Sequence, residues 1–248
     1  MPGLPFHKGR RVRVFGGPNG SGKTTIINLI KSSFDVGYYI NADEIENQLR
    51  NEGIIQLEDY GLKNIDPRIM ESYFDQHPLQ NKANQLGYYF NLQYDKGLIH
   101  TSVSDKLSYE SAVIASFLRD QLIAQGKKMT FETVMSHPSK VVLLDKANQN
   151  GYKTYLYFIC TSSPKINLDR VNLRVQQGGH DVQEELIIKR YYKSLELLKS
   201  AVSKTYRSFI WDNSGKEPKL ILEVFNGRDV RVKNSQIPHW LDKYLLSK

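Results

Sequence analysis

The chain has 248 residues, 40% of them hydrophobic and 24% charged, which is the composition of an ordinary globular protein long enough to bury a sizeable core. No apolar run reaches the roughly 18 residues of a membrane span. A single cysteine excludes a disulfide framework, and no secretory apolar stretch precedes the first strand-like run, so a cytoplasmic protein is expected.

In chain order, Arg11–Gly16 reads as a strand and Lys23–Ser33 as a helix, followed by a strand over Val36–Asn41 and a helix over Ala42–Asn51. Gly53 to Ser108 breaks the pattern: it is polar and aromatic, with poor periodicity, and reads as an insertion at about 53–108 containing some helix. The alternation then resumes with a helix over Tyr109–Gln125, a strand over Met129–Val134, a helix over Pro138–Asn150 and a strand over Thr154–Thr161. Helices over Pro164–Gln176 and Gln183–Ser203, strands over Arg207–Asp212 and Leu220–Phe225, and a helix over Ile237–Leu246 complete it. Apolar strands alternating with helices predict a single α/β domain, a mainly parallel sheet flanked by helices, with ligands bound beyond the carboxyl ends of the strands.

Between the first strand and helix lies Gly17-Pro18-Asn19-Gly20-Ser21-Gly22-Lys23-Thr24-Thr25, which contains the complete G-x-x-x-x-G-K-T phosphate-binding pattern of a P-loop NTPase. Glycines let successive backbone N–H groups turn toward phosphate oxygens, and the helix start adds its positive end. Lys23 is expected to reach the β- and γ-phosphates, and the Thr24 hydroxyl to hold Mg²⁺. The implied ligands are ATP or GTP with Mg²⁺.

Further candidates follow the later strands. Asp43, just past the second strand, either takes a proton from a substrate hydroxyl or, with Asn41, caps the next helix. Glu132 sits in an apolar run where an unpaired carboxylate would cost several kcal/mol. It is therefore expected at the strand end with a partner, beside Thr133, facing substrate or metal. Arg170, Arg174 and Arg190 bracket Gly178-Gly179-His180, which reads as a hinged helical lid whose arginines would cover phosphate charge. His180 either contacts phosphate or caps a turn. Trp211-Asp212-Asn213-Ser214 reads as an Asx turn, and Cys160 as a buried hydrophobe. The charge of +8 favours an anionic partner, yet the basic residues are scattered; a triphosphate and a phosphorylated substrate account for it, and nucleic acid is not expected.

As an ordered series these pieces resemble the zeta toxin family of P-loop kinases, and most of all its short stand-alone members, the predicted ABC-type ATPase-like proteins. The resemblance rests on the 17–25 loop, Ile40-Asn41-Ala42-Asp43-Glu44-Ile45, Phe131-Glu132-Thr133, Gly151-Tyr152, and Arg170-Val171-Asn172-Leu173-Arg174-Val175 with Gly178-Gly179-His180. Lys189-Arg190-Tyr191-Tyr192 and Trp211-Asp212-Asn213-Ser214 extend it, so that it spans roughly residues 11–50 and 110–215. It implies transfer of the γ-phosphate of ATP or GTP to a small-molecule hydroxyl, in the best-known toxins a hydroxyl of UDP-N-acetylglucosamine. Asp43 would then be the general base, Lys23 the phosphate lysine and Thr24 the metal ligand. Glu132 and Thr133 would face the acceptor or the metal shell, and Arg174 and Arg190 would be lid arginines closing on the phosphates; His180 is a candidate substrate contact. The resemblance also implies a protein antitoxin as partner. The insertion and Ser136-His137-Pro138 depart from the toxin pattern where the acceptor would bind. Two other readings remain open: a nucleotide-switched regulatory binding protein of a toxin–antitoxin-like system, and a nucleic-acid end kinase.

Overall fold

The computed structural model describes residues 9–101, 107–178 and 182–247. In chain order its elements are β1 (Arg11–Gly16), α1 (Lys23–Ile30), β2 (Tyr38–Ile40), α2 (Ala42–Glu52), β3 (Ile54–Gln56), α3 (Pro67–Asp75) and α4 (Pro78–Gln85). There follow β4 (Leu92–Asp95), β5 (Leu98–Thr101), α5 (Ser108–Ala124), β6 (Met129–Thr133), α6 (Ser139–Gln149), β7 (Lys153–Cys160) and α7 (Pro164–Gln176). Last come α8 (Glu184–Glu196), α9 (Leu198–Ser203), β8 (Arg207–Asp212), β9 (Lys219–Phe225), β10 (Asp229–Val232) and α10 (His239–Leu241). The chain forms two compact units, residues 1–36 with 130–248, and residues 37–129.

The first unit carries strands in the order β10-β9-β8-β7-β1-β6. β1 and β7 run parallel, as do β7 and β8, with Val14 opposite Leu156 and Phe158 opposite Ile210. The register places the carboxyl ends of β1, β7 and β8 (Gly16, Cys160 and Asp212) at one end of the sheet, so the loops that follow them converge there. β9 and β10 extend the sheet antiparallel. Period-two alternation turns Val12, Val14, Leu156, Phe158 and Ile210 to one face, each at most 1% exposed, and α6 and α9 pack on β7. The result is a mixed α/β fold with a mostly parallel sheet flanked by helices. Among the described residues no helix is long and apolar enough to cross a membrane.

Three details differ from the sequence-based expectation. The helix expected over Gln183–Ser203 breaks at Leu197, and the break lets Leu195, Leu198, Ala201 and Val202 all turn inward. The last helix begins only after Pro238 and continues as a π-helical turn over Asp242–Leu246. β10 was not expected at all; it is made by Asn226-Gly227, both at positive φ (49° and 71°), the hairpin turn chemistry that matches strand twist.

The second unit builds its own core. α2, α3 and α4 pack on α5, burying Ile45, Leu49, Met70, Phe74, Phe117 and Leu118. Inside the region read as an insertion lies a three-stranded antiparallel sheet, β3-β5-β4, that the periodicity did not reveal. Its strands have only three or four residues, too few for alternation to register. β4 and β5 are joined through Lys96 and Gly97 at φ 45° and 88°.

Candidate functional site

The 17–25 loop leaves the carboxyl end of β1 and enters α1, as its pattern requires. Three of its glycines are dictated by what surrounds them: Gly17, at φ 144°, would place a Cβ 2.0 Å from the Ile159 carbonyl oxygen. Gly22, at φ 91°, is the N-cap of α1, and a Cβ there would lie 2.1 Å from Asn213 Nδ2. Gly20, at φ 72°, would place a Cβ 2.5 Å from the Asn167 carbonyl oxygen. The loop is thus walled by the chain after β8 on one side and by α7 on the other.

Those walls are hydrogen-bonded to the loop. Asn213 Nδ2 donates to the Ser21 carbonyl at 2.9 Å, while its own N–H donates to the Cys160 carbonyl at 2.8 Å. Asn167 Nδ2 donates to the Asn19 carbonyl, and its Oδ1 accepts from the Thr161 hydroxyl. Arg190 Nη1 meets Asn19 Oδ1 at 3.4 Å. Tyr191 OH fixes the same wall by donating to the Thr161 carbonyl at 2.7 Å. Asn167 was missed by sequence reading: an asparagine inside a helix is a weak helix former, and that is its only signal. Asn213 lay in a noted motif whose Asx-turn reading holds for its neighbours, since Asp212 Oδ1 accepts from Ser214 N–H at 3.0 Å.

Lys23 Nζ donates to the Gly17 and Pro18 carbonyls, each at 3.0 Å, so it lies along the loop it serves. Thr24 is exposed, and its hydroxyl donates to Glu132 at 3.2 Å (Oε1) and 3.3 Å (Oε2). β6 therefore brings the half-buried Glu132 carboxylate to the start of α1, with Thr24 as a hydrogen-bond partner. This pair fits a magnesium ion: it offers hard hydroxyl and carboxylate oxygens, and Mg²⁺ bound to a nucleotide takes only one or two protein ligands. Thr133 Oγ1 accepts the Met135 N–H at 3.3 Å. Pro18, Ser21 and Thr25 complete the loop; Ser21 Oγ is buried without a hydrogen-bond partner among the described residues.

The arginines divide. Arg174 is exposed in the last turn of α7, Arg190 is half-buried at Asn19, and Arg170 has a buried Nη1 with no hydrogen-bond partner among the described residues. His180 and Gly179 lie outside the described residues. Asp43 belongs to the second unit, in the first turn of α2, with an exposed side chain. Asn41, not Asp43, caps that helix, its Oδ1 accepting Asp43 N–H at 3.0 Å. Cys160 is fully buried, and burial pushes its thiol pKa far up, so it is no nucleophile.

No protein-family model matches the chain. An uncharacterized protein of Haemophilus influenzae is 33% identical over 69 residues, 28% of this chain and 49% of that protein. Among solved structures, the complex of AvrRxo1-ORF1 with AvrRxo1-ORF2 and ATP contains a chain similar in fold at TM-score 0.53 and 13% identity, with 95% of this chain covering 62% of that one. The same complex with sulphate ions matches at TM-score 0.53 and 12% identity, covering 91% and 61%. A structure of the PezAT chromosomal toxin–antitoxin system of Streptococcus pneumoniae matches at TM-score 0.50 and 15% identity, covering 100% of this chain and 83% of that one. The chain thus spans about half the length of its curated relative and about three-fifths of the AvrRxo1 chain. These likenesses establish the fold alone, a mixed α/β architecture with a mostly parallel sheet flanked by helices.

Proposed function

We propose that this chain binds a nucleoside triphosphate, ATP or GTP, on the 17–25 loop and transfers its γ-phosphate to a small-molecule hydroxyl. The observation that carries the reading is the walled loop followed by the Thr24–Glu132 pair: a backbone cradle for phosphates opening onto paired oxygen donors. Lys23 exchanges its two loop carbonyls for β- and γ-phosphate oxygens. The Thr24 hydroxyl and Glu132 hold the metal or its waters. Mg²⁺, when bound, neutralises charge on the phosphates. Asp43 accepts the proton of the acceptor hydroxyl as the new O–P bond forms and the nucleoside diphosphate leaves. Arg174, Arg190 and His180 cover the transferring phosphate, while Thr133 and Glu132 orient the acceptor, of which a UDP-N-acetylsugar is the leading candidate.

A second reading, a nucleotide-switched binding protein with an antitoxin-like partner, is favoured by the comparisons themselves, because the matched structures are of two-protein complexes and of a toxin–antitoxin system. Both readings share the triphosphate site and part at the chemistry. The test is transfer from γ-labelled ATP with Mg²⁺ to sugar nucleotides, nucleosides and oligonucleotides, comparing wild type with Asp43→Asn. The kinase reading expects a labelled product that Asp43→Asn loses while still binding ATP. Tight binding without transfer to any acceptor would leave the switch as the function, and label on oligonucleotide ends would make the chain an end kinase.

A further inference from the structure

The outer end of the first unit's sheet has an open face of unusual chemistry. Arg207 of β8, Glu223 of β9 and Arg231 of β10 alternate onto it with Phe209 and Phe225. Phe225 is sandwiched between the Arg207 and Arg231 guanidinium groups, each 4.6 Å from the ring centroid. Arg207 also covers Phe209 at 4.7 Å, whose other neighbour is Tyr157, stacked at 4.7 Å. Two carboxylates stand on this face against Arg207, Arg231 and Lys233: Glu223 accepts from Arg207 at 2.7 Å and pairs with Lys233 at 3.3 Å, and Asp229, opposite Phe225, lies 4.0 Å from Arg228. Arg231 is exposed and, among the described residues, has no carboxylate partner. The face is therefore left with a surplus of positive charge.

The same surface ends in a strand whose outer edge, among the described residues, pairs with no other strand. β10 is the edge of the sheet and all four of its residues are exposed. Lys233 N–H donates to the Ile221 carbonyl at 2.8 Å. Alternation in an antiparallel ladder then turns the N–H and C=O of Asp229 and Arg231 toward β9 and those of Val230 and Val232 outward. The Val230 and Val232 side chains, 47% and 61% exposed, lie on the opposite face from Arg231.

We infer that β10 and the Arg207–Phe225–Arg231 ladder form a docking edge for an extended acidic segment of a protein partner. Such a segment adds as a strand to Val230 and Val232, lays carboxylates over Arg231 and Lys233, and sets apolar side chains beside the two valines. A protein strand suits this edge better than single-stranded nucleic acid. The Phe225 ring is capped on both sides by guanidinium and Phe209 is flanked by Arg207 and Tyr157, so a base would find no open ring on which to stack. The unpaired backbone groups of β10 match a peptide. The inference is independent of the proposed phosphoryl transfer and is measured without nucleotide.

The test uses the whole chain and a fluorescein-labelled peptide of alternating Glu and Val, with a Lys/Val twin and a single-stranded oligonucleotide as rivals. Fluorescence anisotropy should report binding of the acidic peptide only, weakened by salt, with amide exchange slowed at Val230 and Val232. Arg231→Glu removes the charge match at an exposed side chain, and Val232→Pro removes an N–H that the sheet does not use. Each should weaken binding by about tenfold or more, with melting temperatures near wild type. No binding of the acidic peptide, binding indifferent to both variants, or the oligonucleotide binding in its place would overturn the inference. So would self-association in sedimentation that Val232→Pro abolishes, since a second copy would then be the occupant.

Discussion

Asn213 holds the Ser21 carbonyl from a position 7% exposed, and its amide fills the space a Cβ on Gly22 would need. Asn213→Ala therefore leaves a buried carbonyl short of a donor and the loop short of a wall. The expected loss is about 1–2 kcal/mol in denaturant unfolding, together with weaker ATP binding in calorimetry. If ATP affinity stayed at wild-type level, the wall would be a matter of stability only. Glu223 illustrates how charge is managed on the sheet. Burial alone would raise its carboxyl pKa, but hydrogen bonds and charges from Arg207, then Lys233, outweigh this and hold it below the usual carboxylate range. Because the folded pKa lies below the unfolded one, the stabilisation is complete above the ordinary carboxylate range and is lost as pH falls through the depressed value. Glu223→Gln should cost about 1–3 kcal/mol at neutral pH and nothing in strong acid, a convergence that urea melts across the pH range would reveal.

Among the elements, α7 contributes Asn167 to the wall of the loop and carries Arg174, one of the arginines proposed to cover phosphate. Its start is well specified: Ser163 is the N-cap, its side chain accepting Lys165 N–H, and Pro164 occupies the first turn. Ser163→Ala should cost about 1 kcal/mol, and by loosening Asn167 it should also lower ATP affinity. A stability loss with unchanged affinity would separate the cap from the loop it supports. The strands of the second unit teach the complementary lesson. β3, β4 and β5 satisfy one another's backbones through pairing across the sheet, and their pairing partners lie up to 46 residues away.

For the whole molecule, ligand linkage gives the broadest test. A ligand that binds the folded state alone stabilises it by about 2.7 kcal/mol at a hundredfold excess over Kd. Mg·ATP should accordingly raise the melting temperature of the wild-type chain. Lys23→Ala should abolish most of that rise, because its ammonium is the cation that lies along the loop. An equal rise in both proteins would move the nucleotide away from this loop.

Local chemistry was legible in the sequence wherever one segment does the work alone. The turn between β1 and α1, β1 and β8 with their bounds, α7 over Pro164–Gln176, and the buried Cys160 all follow from spacing and alternation over a few adjacent residues. The expectation that Glu132 needs a partner likewise follows from its apolar neighbours, though spacing alone could not say that the partner is Thr24. Only the tertiary structure decided what meets across long sequence separations: Asn167 and Asn213 as walls of the loop, the small β3-β5-β4 sheet, and the stack of rings and guanidinium groups that ends at β10. The physical reason is the range of the forces. Turn, cap and periodicity signals act within about one turn or one strand pair, whereas a wall or a ladder exists only when the register of separate strands brings distant side chains into contact.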